Sequence, residues 1–246
     1  MKRLFAGDSD TGCVRSANQD YWHTDADGRF FVVADGMGGH AGGEEASRIA
    51  TDTIREYLES DWANDLSAPV LLQNAIDKAN AAILQDQREH PARSDMGTTV
   101  VIVMVRDEQF WFCHIGDSRL YRLRGHEIHQ ISEDHTWIAK AVQNGIVTAE
   151  ESRVHPWRHM LLQCLGREDL RPIQAQKIEL QPEDRLLICS DGLTEELTDG
   201  MIATKMKQIR SCSQAARALI DAAKEHGGRD NITVVIVSNE LPGASA

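Results

Sequence analysis

Three of the most apolar runs in this 246-residue chain stop at an aspartate beside glycine or another small residue. Residues 29–34 run into Asp35-Gly36, 110–115 into Gly116-Asp117-Ser118, and 186–189 into Ser190-Asp191-Gly192. Asp230 stands just before the run from Asn231, and Asp20 stands at the head of a shorter one. The β-branched and aromatic content predicts strands over residues 29–34, 98–105, 109–115, 185–189 and 231–238, with shorter ones at 20–24, 120–123, 127–131 and 175–180. A single Asp-Gly pair is an ordinary turn. Carboxylates at the ends of several strands this apolar point instead to one convergent site. Asp25-Ala26-Asp27-Gly28 is set apart as an exposed hairpin turn, because it lacks the spacing of a calcium loop.

Between the strands, Ala46, Ile49, Ala50, Ile54, Tyr57 and Leu58 recur at helical spacing. So do Leu72, Ala75, Ile76, Ala79 and Ile83, and later Ala215, Ala218, Leu219, Ala222 and Ala223. Each set is one-sided, which places each helix on the outside of a sheet. The two early helices follow one another and the middle strands form a meander. That order is α+β with antiparallel sheets, since a doubly wound parallel fold would alternate the two element types. One domain is expected over residues 1–240, with an irregular surface insertion at about 133–170 and a frayed tail at 241–246.

The formal charge of −12 argues against a nucleic-acid partner, which would need a basic face. If the strand-end carboxylates converge to about 4 Å, each pair repels by roughly 4 kcal/mol at an effective dielectric of 20, so cations are required. Oxygen ligands without His or Cys select Mg²⁺ or Mn²⁺ over zinc. Two such ions can share a water and lower its pKa, which makes a hydrolase, and phosphate esters are the natural substrates because cations neutralise their charge. The glycine-rich run 36–43 formally fits a dinucleotide fingerprint, but no second parallel strand follows it and no Gly-Lys-Ser/Thr marks a P-loop. It reads better as backbone open to close ligand approach, with the Gly36 carbonyl offered to a metal. The five dispersed cysteines form no C-x-x-C pair, and no run approaches a membrane span. A soluble, cytoplasmic protein is expected.

Six motifs in order then resemble those of the type 2C metal-dependent serine/threonine protein phosphatases. They are Arg15-x-x-Asn18-Gln19-Asp20, Val33-Ala34-Asp35-Gly36-Met37-Gly38-Gly39, Met96-Gly97-Thr98-Thr99, His114-Ile115-Gly116-Asp117-Ser118-Arg119, Cys189-Ser190-Asp191-Gly192-Leu193-Thr194 and Gly228-Arg229-Asp230-Asn231-Ile232-Thr233. The resemblance runs from Gly7 to Ser238 and is greatest to stand-alone bacterial, cyanobacterial-like members. It implies a four-layer α/β/β/α sandwich with metals at one end, and hydrolysis of phosphoserine or phosphothreonine by a metal-bridging water or hydroxide. Asp35 would bridge both core ions and the Gly36 carbonyl would bind one. Asp191 and Asp230 would hold the other, and Asp20 would act through water. Asp117, helped by Asp191, would hold a third, weaker ion, and Arg15 would clamp the phosphate.

Many eukaryotic members carry a histidine where this chain and bacterial members have Met37, so the leaving alkoxide needs another proton source, for which metal-bound water and His40 are the candidates. The irregular stretch at 133–170 corresponds to the family's flap, and its His135, His155 and His159 are expected to be structural. The partner implied is a phosphoprotein, with the nitrogen-signalling protein PII as one candidate, acted on by a monomer without membrane or nucleic acid. Retention of Arg15 and of every metal-type aspartate argues against a phosphoprotein-binding pseudophosphatase, and the acidic charge argues against a two-metal nuclease.

Overall fold

The computed structural model describes residues 3–39, 42–152 and 154–239. His40 and the tail expected at 241–246 lie outside the described residues. One sheet is ordered β1 (Leu4–Asp10), β11 (Ile232–Ser238), β10 (Arg185–Cys189), β7 (Arg119–Arg124) and β8 (Glu127–Gln130). The other is ordered β2 (Asp20–Thr24), β3 (Phe30–Met37), β5 (Val100–Arg106), β6 (Gln109–Ile115) and β9 (Gln176–Ile178), with β4 (Gly97–Thr98) paired to the end of β3. Every pairing is antiparallel.

The central strands read as unbroken apolar runs because both of their faces are covered. In β3, Phe30 and Val32 join a core with Ala50, Ile54, Leu72 and Ile76 of α1 (Gly42–Asp61) and α2 (Ala68–Glu89). Phe31 and Val33 face the other way, onto Leu186, Ile188, Val235 and Val237 of the second sheet. The odd-numbered neighbours on that sheet, Leu187 and Cys189, pack against Leu219 and Ala223 of α7 (Cys212–Glu225) and Ile202 and Met206 of α6 (Asp199–Gln208). The layers are therefore α/β/β/α, as expected. Each strand contributes to two cores through its period of two.

Besides the one-turn helices, β1 and α6 are not visible in the apolar pattern. β1 is a half-exposed edge strand of sequence LFAGDSD, whose polar residues hide its pairing to β11. α6 buries only Ile202, Ala203 and Met206 of its residues. The Asp25–Gly28 turn does join β2 to β3, but Asp25 is not exposed. It is 3% accessible, and the Arg29 guanidinium donates to both of its carboxylate oxygens at 2.9 and 2.5 Å.

Antiparallel pairing brings the aspartates to one end. Asp20 opens β2 directly opposite Asp35 near the close of β3. β6 runs with β3, so the Gly116-Asp117-Ser118 connection to β7 emerges at the same end. β10 closes beside the start of β11, which sets Asp191 next to Asp230.

Candidate metal centre and its cleft

The backbone around Asp35 is locked before any ligand is considered. Its N–H donates to Thr99 Oγ1 (3.0 Å), and its carbonyl accepts from the Thr99 N–H (2.9 Å) and from Thr98 Oγ1 (2.8 Å). At Gly36 a Cβ would lie 1.9 Å from the Gly43 carbonyl oxygen and 2.7 Å from that of Gln19, so only glycine lets these three backbones meet. On the facing sheet Asp191 begins α5 (Asp191–Thr194), with Ser190 as its N-cap. Asn231 reaches back across the cleft: its amide donates to the carbonyls of Thr11 and Ala17, and its Oδ1 accepts from the Gln19 N–H. That tie fixes the loop carrying Arg15, which donates from Nη2 to Asp230 at 2.6 Å while remaining half exposed.

Five carboxylates share this end. Burial first, and then the charges of Asp20, Asp191, Asp117 and Asp230, hold the Asp35 carboxyl well above the usual range. Asp20 is pushed up to about 7 by burial and by Asp191 and Asp230, despite accepting hydrogen bonds from Thr233 Oγ1 (2.6 Å) and Ser190 Oγ (2.7 Å). Asp117 rises to about 8 through burial, Asp191 and Asp134, and Asp191 to about 6 through burial, Glu195 and Asp230. Asp20 Oδ1 is buried and has no partner among the described residues.

This donor set fits hard divalent cations. It is all oxygen at the centre, it has unused buried lone pairs, and it carries more negative charge than Arg15 can offset. Asp20, Asp35, Asp191 and Asp230 surround the centre, and Asp117 stands on its outer wall, in contact with the charge of Asp191.

A consequence for stability follows from those pKa directions. Without metal, the folded carboxyls of Asp20, at about 7, and Asp117, at about 8, hold protons near neutral pH that the unfolded chain has released. Stability therefore falls as pH rises towards their folded values. Histidines whose pKa is lowered, such as His135 at about 4, act in the opposite sense only below about pH 6.5. Between pH 6.5 and 8, calorimetric melting of chelator-treated protein should show Tm dropping by about 5 °C. Saturating Mn²⁺ should abolish the drop, and an unchanged Tm in the chelated protein would remove the uncompensated cluster.

The cleft beside the cluster measures about 730 Å³, and its lining includes Asp117, Asp134, Arg158, His159, Asp191 and Glu195. Arg158 and His159 come from the irregular stretch, which contains α3 (Trp137–Gln143) and α4 (Ala149–Ser152) and rejoins the body through a bridge between Thr98 and Leu165. His159 was expected to be structural. It lines the cleft, where its Nδ1 lies 2.8 Å from Glu195 Oε1, and His159, Asp191 and Glu195 each place one ligand atom within 4.8 Å of the others. Glu195 follows α5 four residues after Asp191, a spacing that would have revealed it. His135 does have a structural role: its N–H donates to the Gly116 carbonyl (2.9 Å) and its Nδ1 accepts from the Gly116 N–H (3.3 Å), which steadies the loop that carries Asp117.

The protein phosphatase 2C family matches residues 14–226 of this chain. The chain is 36% identical over 232 residues to the serine/threonine protein phosphatase PstP of Mycobacterium tuberculosis, covering 94% of this chain but only 44% of that relative. It is 32% identical over 240 residues to the serine/threonine phosphatase Stp of Listeria monocytogenes, covering 95% of this chain and 94% of the relative. The crystal structure of the PstP catalytic domain in complex with two manganese ions superposes with a TM-score of 0.85 at 33% identity, covering 96% of this chain and 97% of that one.

Proposed function

This chain belongs to the protein phosphatase 2C family, and from that premise we propose that it is a metal-dependent phosphatase that hydrolyses phosphoserine and phosphothreonine in proteins. The observation that carries this reading is the convergence of Asp20, Asp35, Asp117, Asp191 and Asp230 around a buried, cation-demanding centre with Arg15 at its mouth. Asp35 and the Gly36 carbonyl, with Asp20 outside them, would hold one side of a pair of Mg²⁺ or Mn²⁺ ions. Asp191 and Asp230 would hold the other side, and Asp117 with Asp191 an outer third ion. When bound, such ions supply an activated water and neutralise phosphate charge.

The protein's own groups do the rest. Arg15 turns from Asp230 to the phosphate and orients it with a planar fork. Met37 has no proton to give, so the serine or threonine oxygen must be protonated from elsewhere. His40 is assigned to substrate binding on its sequence position. The stretch 133–170, contributing Arg158 and His159, covers the cleft and shapes what enters. The enzyme works as a cytoplasmic monomer on a phosphoprotein, for which phosphorylated PII is a specific candidate to assay. Among the described residues no helix is long and apolar enough to cross a membrane.

Arg15 gives the first kinetic test. Arg15→Ala should raise KM for a small phosphate ester by about tenfold or more while kcat changes less, because the clamp acts before as well as during bond breaking. Arg15→Lys should recover only part of the loss, since a point charge cannot make two parallel bonds. Steady-state kinetics identical to wild type would take Arg15 out of the site.

A further inference from the structure

At the end of the sandwich opposite the aspartates, the layer between the sheets opens into a pocket of about 620 Å³ whose lining includes Arg3, Phe110, Arg122, Arg124, Lys177 and Ile178. Its basic character is unexpected in a chain of net charge −12. The strand pattern makes Arg122 the telling residue. In β7, Leu120 belongs to the core between the sheets, whereas Tyr121 and Leu123 pack on the helix side. By the alternation of a strand, Arg122 is on the inward face, and its register partner on β10 is the inter-sheet residue Leu186.

Arg124, two residues further along the same face, shows how such an arginine is normally satisfied: it grips the buried Asp184 through Nε (2.9 Å) and Nη2 (2.7 Å). Arg122 has no such partner. Its Nε is buried without an acceptor, and among the described residues it forms no ion pair. Arg3 repeats the pattern. Its side chain is only 12% exposed and it meets Glu108 through Nη2 at 3.3 Å, yet its Nε is also buried and unpartnered. Two buried guanidinium donors aimed at no acceptor are costly unless something supplies one.

We propose that this pocket is a binding site for a small organic anion, with a carboxylate or phosphate-type head on Arg122 and Arg3 and a compact apolar body against Phe110 and Ile178. Phe110 and Ile178 are core residues, 5% and 6% exposed, that show only an edge at the pocket, and the Arg3 guanidinium lies 5.2 Å from the centre of the Phe110 ring, so the apolar contact is narrow. The charge count limits the ligand to one or two negative charges, because Glu108 and Glu179 also line the pocket and Glu108 already takes up part of Arg3. The volume suits a ligand between benzoate and a nucleoside monophosphate in size.

The test is amide-shift mapping on the Mg²⁺-loaded full chain with phenylphosphonate, which cannot be hydrolysed, and with benzoate, sulfate and neutral phenol alongside. Residue-level mapping separates this pocket from the metal centre, where a phosphonate can also bind. Phenylphosphonate should give saturable shifts at Gln109, Phe110, Arg122 and Ile178, with a Kd of about 10 mM or tighter. Comparing it with benzoate tells phosphate-type from carboxylate preference, while sulfate and phenol should bind more weakly because each lacks half of the recognition. Arg122→Met should weaken phenylphosphonate binding at least about tenfold and Arg122→Lys by less, with melting curves checking that both fold. Should Arg122→Met fail to fold, the weakening in Arg122→Lys decides. A chain ending at Asn239 should bind as the full chain does. The proposal is overturned if those four amides show no saturable shift, if phenol binds as well as phenylphosphonate, if the folded Arg122 variants bind like wild type, or if only the shortened chain binds. Absent shifts or unaffected Arg122 variants would mean that Arg122 simply reaches past the pocket to water, equal phenol binding that the pocket does not select an anion, and binding by the shortened chain alone that residues after Asn239 keep ligands out.

Discussion

Asp35→Asn should lower kcat by about a thousandfold or more while raising the melting temperature of the chelator-treated protein by about 3 °C. The two effects have opposite signs because one carboxylate does two things. In the metal-free fold Asp35 is a buried acid pressed on by Asp20, Asp191, Asp117 and Asp230, and its carboxyl is held far above the normal range. An amide of the same shape removes that repulsion and leaves the backbone bonds to Thr98 and Thr99 in place. If Asp35 holds the core ions as proposed, the same change would remove a carboxylate charge assigned to both of them and weaken their binding. Metal titration should therefore show weaker binding in a fold that melts normally. Loss of activity accompanied by loss of stability would mean that Asp35 is merely a structural acid, and unchanged kcat would exclude it from the centre.

Asp117→Ala should keep the fold and the central metal events and still lose about a hundredfold in kcat. The loop does not depend on the Asp117 side chain. It is set by Gly116, whose φ of 97° suits glycine and whose missing Cβ would strike Thr99. It is set also by Ser118, fully buried and 2.7 Å from Thr99 Oγ1, and by the clasp of His135. Asp117 lines the cleft with Asp134 and Asp191, whose charges act on it, and there it would hold the proposed outer cation, a source of the proton that Met37 cannot give. Calorimetric titration should lose one weak binding event, and kcat on a small phosphate ester should fall with it. If Asp117 only capped a turn, stability would drop by about 1 kcal/mol and the rate would hardly change. Normal kcat with the weak event missing would leave an outer ion without a catalytic role.

The sandwich was legible because strands such as β3 and β10 are buried on both faces, which forces apolar runs long enough to stand out. It was legible also because α1, α2 and α7 each bury a single apolar side. β1 is hidden for the opposite reason: at an edge only Phe5 and Ala6 pack on the cores, while Ser9 and Asp10 are held by polar contacts to Thr233 and Lys224, so its apolar pattern is short. The site's aspartates could be read because each sits at or next to one end of a strand, and the chain pattern marks that point. Residues that act across the cleft leave no such mark. Asn231 ties down the Arg15 loop, and His159 meets Glu195, through contacts between segments distant in sequence, although Glu195 itself could be read from its spacing to Asp191. His159 in particular carries no periodic signal within an irregular stretch. Arg122, by contrast, could have been suspected as a charge at an inward position of a strand, had the face of β7 been assigned first.

The most direct test is phosphate release from a phosphothreonine peptide by protein stripped with chelator, checked free of metal by elemental analysis, and then titrated with Mn²⁺. A cation-dependent hydrolase shows no turnover when stripped and saturable recovery as Mn²⁺ is restored, with Asp35→Asn failing to recover at the same concentrations. Full turnover by the verified metal-free protein would contradict a metal-dependent mechanism outright.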